Sequence, residues 1–257
     1  INYGDMISYS SGTAPIVGES NGSTTKCANY GTITLHDSTS AHGGIVGMHQ
    51  ATSTISECAN YGNIITTGNA TKVGGIAGEY RGTSTVAFKN CLNSGDISVG
   101  AGSGIAGGIL ASIPHENYDN LIIENCYNAG QILIGGEDTT NANAVYHSAV
   151  AGVEGTTITN CYYLISGSTT KKQGSTGLTE SEFKDESNFT SFDFEETWKI
   201  DNTMGYEYPQ LVSLPYKAAP EKLAAPSFTD NKQPYNNGTN VQFYVTVPSQ
   251  ASSVYIE

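Results

Sequence analysis

Five cysteines stand at one and the same place in a repeat: Cys27, Cys58, Cys91, Cys126 and Cys161, spaced by 31, 33, 35 and 35 residues. The text around them is shared. Cys27-Ala-Asn29-Tyr-Gly31-Thr-Ile33 is followed by Cys58-Ala-Asn60-Tyr-Gly62-Asn-Ile64, Cys91-Leu-Asn93-Ser-Gly95-Asp-Ile97 and Cys126-Tyr-Asn128-Ala-Gly130-Gln-Ile132. Cys161 keeps only the opening, and Asn2-Tyr3-Gly4 lies inside a still earlier copy. A fixed period of this length means a stack of like units, each burying its apolar side against the next. A chain that opens inside a repeat reads as a piece of a longer protein.

A second half-motif alternates with the first. It runs Pro15-Ile-Val-Gly18, Gly43-Gly-Ile-Val-Gly47, Gly74-Gly-Ile-Ala-Gly78, Ser103-Gly-Ile-Ala-Gly107 and Ser148-Ala-Val-Ala-Gly152. An apolar residue also precedes each later cysteine by three: Ile55, Phe88, Ile123 and Ile158. These apolar pieces are too short for helices and rich in β-branched residues, and Gly or Asn punctuates them. Helix-pair repeats would show a 3.6-residue period, leucine-rich repeats a leucine ladder, and propeller blades four longer strands per unit. The pattern fits an all-β, right-handed parallel β-helix of about five coils, each made of three short strands. The right-handed sense follows the rule for parallel crossovers.

The paired half-motifs resemble the GLUG repeats of bacterial surface proteins, found in adhesin-like proteins and in accessory regions of immunoglobulin A1 peptidases. The resemblance covers residues 1–165. Leu178-Thr-Glu-Ser-Glu-Phe183, Phe192-Asp-Phe-Glu-Glu-Thr-Trp198 and Tyr206-Glu-Tyr-Pro209 are similar to the segment that closes such arrays. The resemblance implies an extracellular, cell-surface location and a non-catalytic role, with no catalytic residues to carry over.

Composition narrows the partners. The net charge is −13, and residues 1–165 hold twelve acidic side chains against four basic ones, with Arg81 the chain's one arginine. Nucleic acid, which needs clustered Lys and Arg, is disfavoured. No apolar run reaches the length of a membrane span. The resemblance to surface repeats implies host glycans or extracellular proteins as partners, met by a monomer.

The cysteines lack the paired spacing of a metal site. Stacked coils rise by roughly 4.8 Å, within disulfide reach, yet in-register side chains point the same way. Reduced, buried thiols acting as a small apolar ladder are expected. Asn29, Asn60, Asn93 and Asn128 read as a second ladder at a turn, their amides bonding backbone and one another. Gly31, Gly62, Gly95 and Gly130 mark the same corner, where a positive φ is expected.

Polysaccharide-cleaving enzymes also use the β-helix, so catalysis is the rival reading. A lyase wants a basic residue beside a calcium-holding carboxylate cluster. Arg81, Lys72 and Lys89 are near in sequence, but no aspartate cluster accompanies them. A hydrolase wants paired carboxylates. The acids Asp5, Asp37, Glu57, Glu79, Asp96 and Glu124 read as falling at unlike repeat positions. His36, His42 and His49 share one unit without metal-type spacing. No cofactor, metal or catalytic residue is therefore expected, and the binding residues are unknown from sequence. An accessory region of a large secreted peptidase or glycosidase is the nearer alternative role.

Two insertions, 111–120 and 135–146, swell the fourth unit and are the places where binding would sit. Glu137, Asp138, Asn141 and Asn143 offer oxygens, without a recognisable calcium spacing. Residues 166–214 read as a C-terminal cap. Thr179-Glu-Ser-Glu182 opens a short helix there, and an aromatic cluster with Trp198, the one tryptophan, covers the raw end of the stack. Residues 215–224 read as a linker. Residues 225–257 read as a partial immunoglobulin-like β module with strands at Ala225–Thr229, Val241–Val247 and Ser253–Ile256.

Overall fold

The computed structural model describes residues 1–10, 12–36, 40–50, 53–67, 72–81, 87–100, 104–113, 121–139, 145, 156–165, 174–201, 203, 206–215, 227–228, 235–236, 241–242 and 245–246. It divides into two units, Ile1–Lys217 and Ala218–Glu257.

The first unit is a parallel β-helix. Each full coil has five strands of two to four residues, where the sequence reading expected three. The extra strands arise at two corners: the Gly-Gly-Ile half-motif bends between Ala41–Gly43 and Val46–His49, and a second corner just before the cysteine separates Ile55–Ser56 from Ala59–Asn60. Stacked coils place equivalent strands side by side in five parallel sheets. Sheet 1 holds Met6–Ser8, Ile33–Leu35, Ile64–Thr66, Ile97–Val99 and Ile132–Ile134. Sheet 2 holds Ala41–Gly43, Lys72–Gly74 and Ile105–Gly107, and sheet 3 holds Val17–Ser20, Val46–His49, Ala77–Tyr80 and Leu110–Ser112. Sheet 4 takes Thr24–Thr25, Ile55–Ser56, Ala87–Lys89, Leu121–Glu124 and Thr156–Thr159. Sheet 5 takes Ala28–Asn29, Ala59–Asn60, Leu92–Asn93, Tyr127–Asn128, Tyr162–Leu164 and Thr176–Leu178.

All five strands are described in three successive coils, Ile33–Asn60, Ile64–Asn93 and Ile97–Asn128, with partial coils on either side. That is fewer complete coils than the five expected. The half-motif of the coil after Gly74-Gly-Ile76 is Gly107-Gly-Ile109 and not Ser103–Gly107, because Gly74 pairs with Gly107 and Ala77 with Leu110. One coil further on Val145 takes the place of Ile109, its carbonyl accepting from Ile109 N at 2.9 Å, and Ser148–Gly152 lies outside the described residues. The register is unbroken: Ile33 pairs with Ile64, Ile64 with Ile97 and Ile97 with Ile132. Backbone bonds repeat from coil to coil, as in Ile33 N to Asn63 O and Ile64 N to Asp96 O, both 2.8 Å.

The tight corner falls one residue before the cysteine. Lys26, Glu57, Asn90, Asn125 and Asn160 all hold φ between 49° and 54°. The expectation of positive φ at Gly31, Gly62, Gly95 and Gly130 is therefore corrected. Those glycines are needed for close approach instead. A Cβ on Gly62 would lie 1.9 Å from the Gly31 carbonyl oxygen, and one on Gly95 would lie 1.9 Å from that of Gly62.

The interior has two apolar compartments. One stacks Cys58, Cys91, Cys126 and Cys161 with Ile45, Ile76, Ile109, Ile55, Phe88 and Ile123. The other stacks Ile33, Ile64, Ile97 and Ile132 with Leu35, Val73 and Val99. Between them runs the asparagine ladder, fully buried. A Cβ on Gly44 would meet Asn60, and one on Gly75 would meet Asn93, each at about 2.5 Å to the amide carbon. The glycine of one half-motif thus makes room for the asparagine of the other, which is why the two recur together.

The aromatic segment after Leu178 does not lie where the sequence reading put it. Cysteine and asparagine of sheet 5 point inward, so the residue between them points outward: Ala28, Ala59, Leu92, Tyr127 and Tyr162. Phe183, Phe189, Phe192, Trp198 and Leu211 pack along this outer ladder and are buried against it. Phe189 meets Tyr162 with ring centroids 4.9 Å apart, Trp198 meets Tyr127 at 5.8 Å, and Tyr206 meets Tyr61 at 5.7 Å. The Tyr30 hydroxyl donates to the Pro215 carbonyl. The chain therefore runs back down the flank towards the first coil, as a strap rather than an end cover. Thr179 and Glu182 form the expected capping box. Thr179 N donates to Glu182 Oε2 at 2.7 Å and Glu182 N to Thr179 Oγ1 at 3.4 Å. The element it opens, Glu182–Lys184, is a 3₁₀ turn.

In the second unit the described strands are two residues long and pair antiparallel: Ser227–Phe228 with Val245–Thr246, and Tyr235–Asn236 with Val241–Gln242. Ser253–Ile256 lies outside the described residues.

Candidate functional site

The residues that recur in every coil are occupied by one another. Asn2 Nδ2 donates to Asn29 Oδ1 at 2.7 Å, Asn29 to Asn60 at 2.8 Å, Asn60 to Asn93 at 2.8 Å and Asn93 to Asn128 at 2.7 Å. The second proton of each amide goes to a carbonyl two residues on, as in Asn60 Nδ2 to Gly62 O at 2.9 Å. Each interior amide is thus held from both sides in a dry setting, where such chains of bonds reinforce one another.

All five cysteines are free thiols, with Cys27 half-buried and the other four buried. Burial pushes the Cys126 thiol up, away from the reactive thiolate. Each of the four buried sulfurs lies near carbonyls of its own and the preceding coil, as Cys91 Sγ does near Lys89 O at 3.3 Å and Ile55 O at 3.6 Å.

The acids occupy shared repeat positions more than the sequence reading allowed. Asp5 and Asp96 both follow the corner glycine, three coils apart, with Thr32 and Asn63 between them. Their role there is structural. Asp5 Oδ1 accepts from Thr32 N at 2.7 Å and Asp96 Oδ1 from Gln131 N at 2.8 Å, while Asn63 Oδ1 does the same for Asp96 N at 3.0 Å. Glu19 and Glu79 share another position, separated by Met48. Glu79 is fully buried and takes both Lys72 and Arg81 as ion partners. Lys89 pairs with Glu124 of the next coil, and Lys26 stands 3.9 Å from Glu57. The basic residues considered for a lyase are thus brought together with carboxylates as ion pairs. Asp37 lies outside the described residues.

The histidines are spread over different surroundings. His36 stacks on Tyr9 at 4.6 Å and bonds Thr67 Oγ1 through Nδ1 at 2.5 Å. His42 is buried, with Thr13 Oγ1 2.9 Å from Nδ1, and burial lowers its pKa to about 4. His49 is buried beside Tyr80, with Nε2 3.1 Å from both Ser53 O and Ser53 Oγ. Among the described residues no group of three or more His, Cys, Asp or Glu is placed to hold a metal ion. No helix of the described chain is long and apolar enough to cross a membrane.

Of the two insertions, only the edges are described. Glu137 and Asp138 are exposed and pair antiparallel with Leu133 and Ile134 of sheet 1. Gln131 Nε2 donates to Asp138 Oδ2 at 3.0 Å. Asn141, Asn143 and the loop from Pro114 to Asn120 lie outside the described residues. Trp198 is fully buried, so its ring is packing material and not an exposed platform.

Sequence reasoning missed the outward ladder. The signal was present: the residue after each cysteine is apolar in all five copies, and adjacent residues of a strand face opposite sides. A strand apolar on both faces is buried on both faces.

Fold and geometry define a parallel β-helix repeat protein. Comparison with family models, with curated proteins and with solved structures finds no match.

Proposed function

We propose that this chain is a non-catalytic module of an exported bacterial surface protein, of the kind its repeats resemble. In this reading it is a rigid, acidic spacer that displays binding loops and neighbouring domains. One observation carries it: the side chains that recur from coil to coil hold the stack together. Asparagine bonds asparagine, glycine admits a carbonyl, cysteine fills the core, and the post-glycine polar residue caps the next coil. Chemistry on a stack needs groups from adjacent coils at matching positions, and here those positions serve cohesion. Variation is concentrated instead in the insertions at 111–120 and 135–146, which is where recognition belongs on a rigid scaffold.

The test is a glycan array combined with extracellular-matrix proteins, probed with the whole chain and with variants lacking residues 114–120 or 140–144, deletions that spare the strand Leu110–Ser112 and the buried Ile113 and Val145. Binding that disappears on deletion, with the thermal transition unchanged, supports display by the loops. Reproducible cleavage of pectin, glycosaminoglycan, mucin or immunoglobulin A, abolished by Glu79→Gln or Asp96→Asn, would replace this reading with an enzymatic one.

A further inference from the structure

We infer that Lys72, Glu79 and Arg81 form a binding site for the carboxylate of a uronic acid in an extracellular glycan, an inference that rests on the surface-module reading and gives it a ligand class. The Gly74-Gly-Ile76 bend lays the strand Lys72–Gly74 against the strand Ala77–Tyr80, and so brings Lys72 to Glu79. Glu79 is fully buried, and accepts from Lys72 through Oε1 and from Arg81 Nε through Oε2. One carboxylate thus holds two cations, and both reach solvent. The Lys72 side chain is 26 % exposed and that of Arg81 is 44 % exposed.

Adjacent coils supply the control. Lys72 pairs in register with Ala41 and Ile105, and Glu79 with Met48 and Ser112. Gln50 holds the place of Arg81, its N donating to Ser20 O at 2.9 Å as Arg81 N does to His49 O at 2.7 Å. The preceding coil therefore closes the same bend with Ala41, Met48 and Gln50, without an ion. Burying a carboxylate is expensive, and replacing a buried ion triad by apolar side chains is often neutral or stabilising. Cohesion of the stack explains the asparagine, glycine and cysteine ladders but not this trio. An anion bound from outside explains it.

Charge and shape set the ligand. Lys26 faces Glu57 and Lys89 faces Glu124, one cation to one acid. Among the described ion pairs, only the group around Glu79 has a cation in excess. The surplus of one positive charge is cancelled by one singly charged group. Glu79 takes the Nε side of the guanidinium and so fixes the plane of the fork, with its Nη edge on the side away from Glu79. Such an edge matches a planar carboxylate through two parallel N–H bonds, and Lys72 adds a point charge beside it. The other acid of this ladder, Glu19, lies two coils away beyond Met48 and accepts from Gln50. The chain as a whole, at −13, repels dense polyanions and admits a glycan whose charges stand far apart. A glycan with one carboxylate per disaccharide and no sulfate meets both conditions.

The experiment titrates the whole chain with a hyaluronan hexasaccharide, with its carboxyl methyl ester and with a heparin hexasaccharide. The free acid binds, while the ester and heparin bind more weakly by about tenfold or more. The decisive variant, Lys72→Ala with Glu79→Met and Arg81→Gln, gives this coil the side chains of the one before it. It keeps the melting temperature and loses about tenfold or more in affinity. Lys26→Gln lowers the net charge by the same single unit away from the bend and leaves binding unchanged. Arg81→Lys keeps the charge without the fork and weakens binding about threefold or more. No binding of the free acid overturns the inference, as does equal binding by the triple variant, by Arg81→Lys or of the ester. Tighter binding of heparin replaces the carboxylate with a sulfate and overturns it too. A triple variant that melts markedly lower shows that the stack needs the trio, which removes the premise. Binding that survives the triple change and disappears on deletion of 114–120 or 140–144 sinks this site and leaves the surface-module reading standing. Cleavage of the hexasaccharide sinks that reading itself.

Discussion

A buried primary amide is costly unless every group finds a partner, and a ladder meets that demand only if it is continuous. Asn93 sits in its middle, donating to Asn128 Oδ1 and Gly95 O and accepting from Asn60 Nδ2. Asn93→Ala removes three bonds and strands a donor on Asn60 and an acceptor on Asn128 in a dry interior. The expected loss is about 3–5 kcal/mol in urea denaturation, more than for one ordinary hydrogen bond. A loss under about 1 kcal/mol would mean that water enters the ladder and replaces the amide. The thiols make a separate test. Denatured chain without reductant should titrate five, and native chain should react first at Cys27. Two disulfides and one thiol would contradict the geometry of the stack. His42 adds a pH dependence. Its folded pKa, lowered by burial to about 4, lies below the unfolded value of about 6.5. The neutral ring is the one the fold holds, so its contribution is complete above pH 6.5 and is lost as pH falls towards 4. The shift corresponds to about 3 kcal/mol across that window. His42→Gln should flatten this part of the stability–pH curve. An unchanged slope would place the acid sensitivity in the carboxylates.

At the scale of the element, the strap explains why sheet 5 is apolar on its outer face and why the post-cysteine side chains grow from Ala28 and Ala59 through Leu92 to Tyr127 and Tyr162. The larger rings stand where the strap brings its own aromatics. Trp198 fills the space between Tyr127 and Phe192, the latter ring stacked on it at 4.6 Å. Trp198→Ala should therefore cost about 3–5 kcal/mol, as for a large ring removed from a packed core. Retained stability with lost glycan binding would mark the ring as a ligand platform instead. How much of this could be read from sequence depends on the kind of signal. The coil was legible because its period repeats, and so were the inward thiols and the amide ladder. The count of strands was not, since two- and three-residue strands are shorter than any window over which alternation registers. The positive-φ corner was hidden by its varied occupants, Lys26 and Glu57 beside three asparagines, because what is shared there is a backbone state and not a residue type. The path of the strap depends on which coil each aromatic meets, which no local pattern encodes. The loops proposed for binding vary between coils, so the repeat says nothing of their shape.

Across the whole first unit, two kinds of coupling act on the stack. Ladders and strand pairs join each coil to its neighbours alone, which by itself would let the end coils fray independently. The strap adds long-range ties. Tyr206 reaches both Tyr61 and Tyr127, and Pro215 accepts from Tyr30, so residues beyond 200 bind coils from the first to the fourth. The prediction is that residues 1–215 unfold in one transition because of the strap. Two changes of graded size test it. Tyr30→Phe deletes the bond to Pro215 and leaves the rings stacked, and should cost about 1 kcal/mol with cooperativity intact. Ending the chain after Leu178 removes the strap entirely and uncovers the outer ladder. The denaturant transition should then broaden with a smaller m-value, and amide exchange should accelerate first in residues 2–35, the coil furthest from the cut. Local coupling alone would predict the reverse order, with fraying beginning at the truncated end. Faster exchange confined to residues near 178, with Asn2–Leu35 unchanged, would therefore show that the strap shields its own neighbourhood and does not tie the stack together.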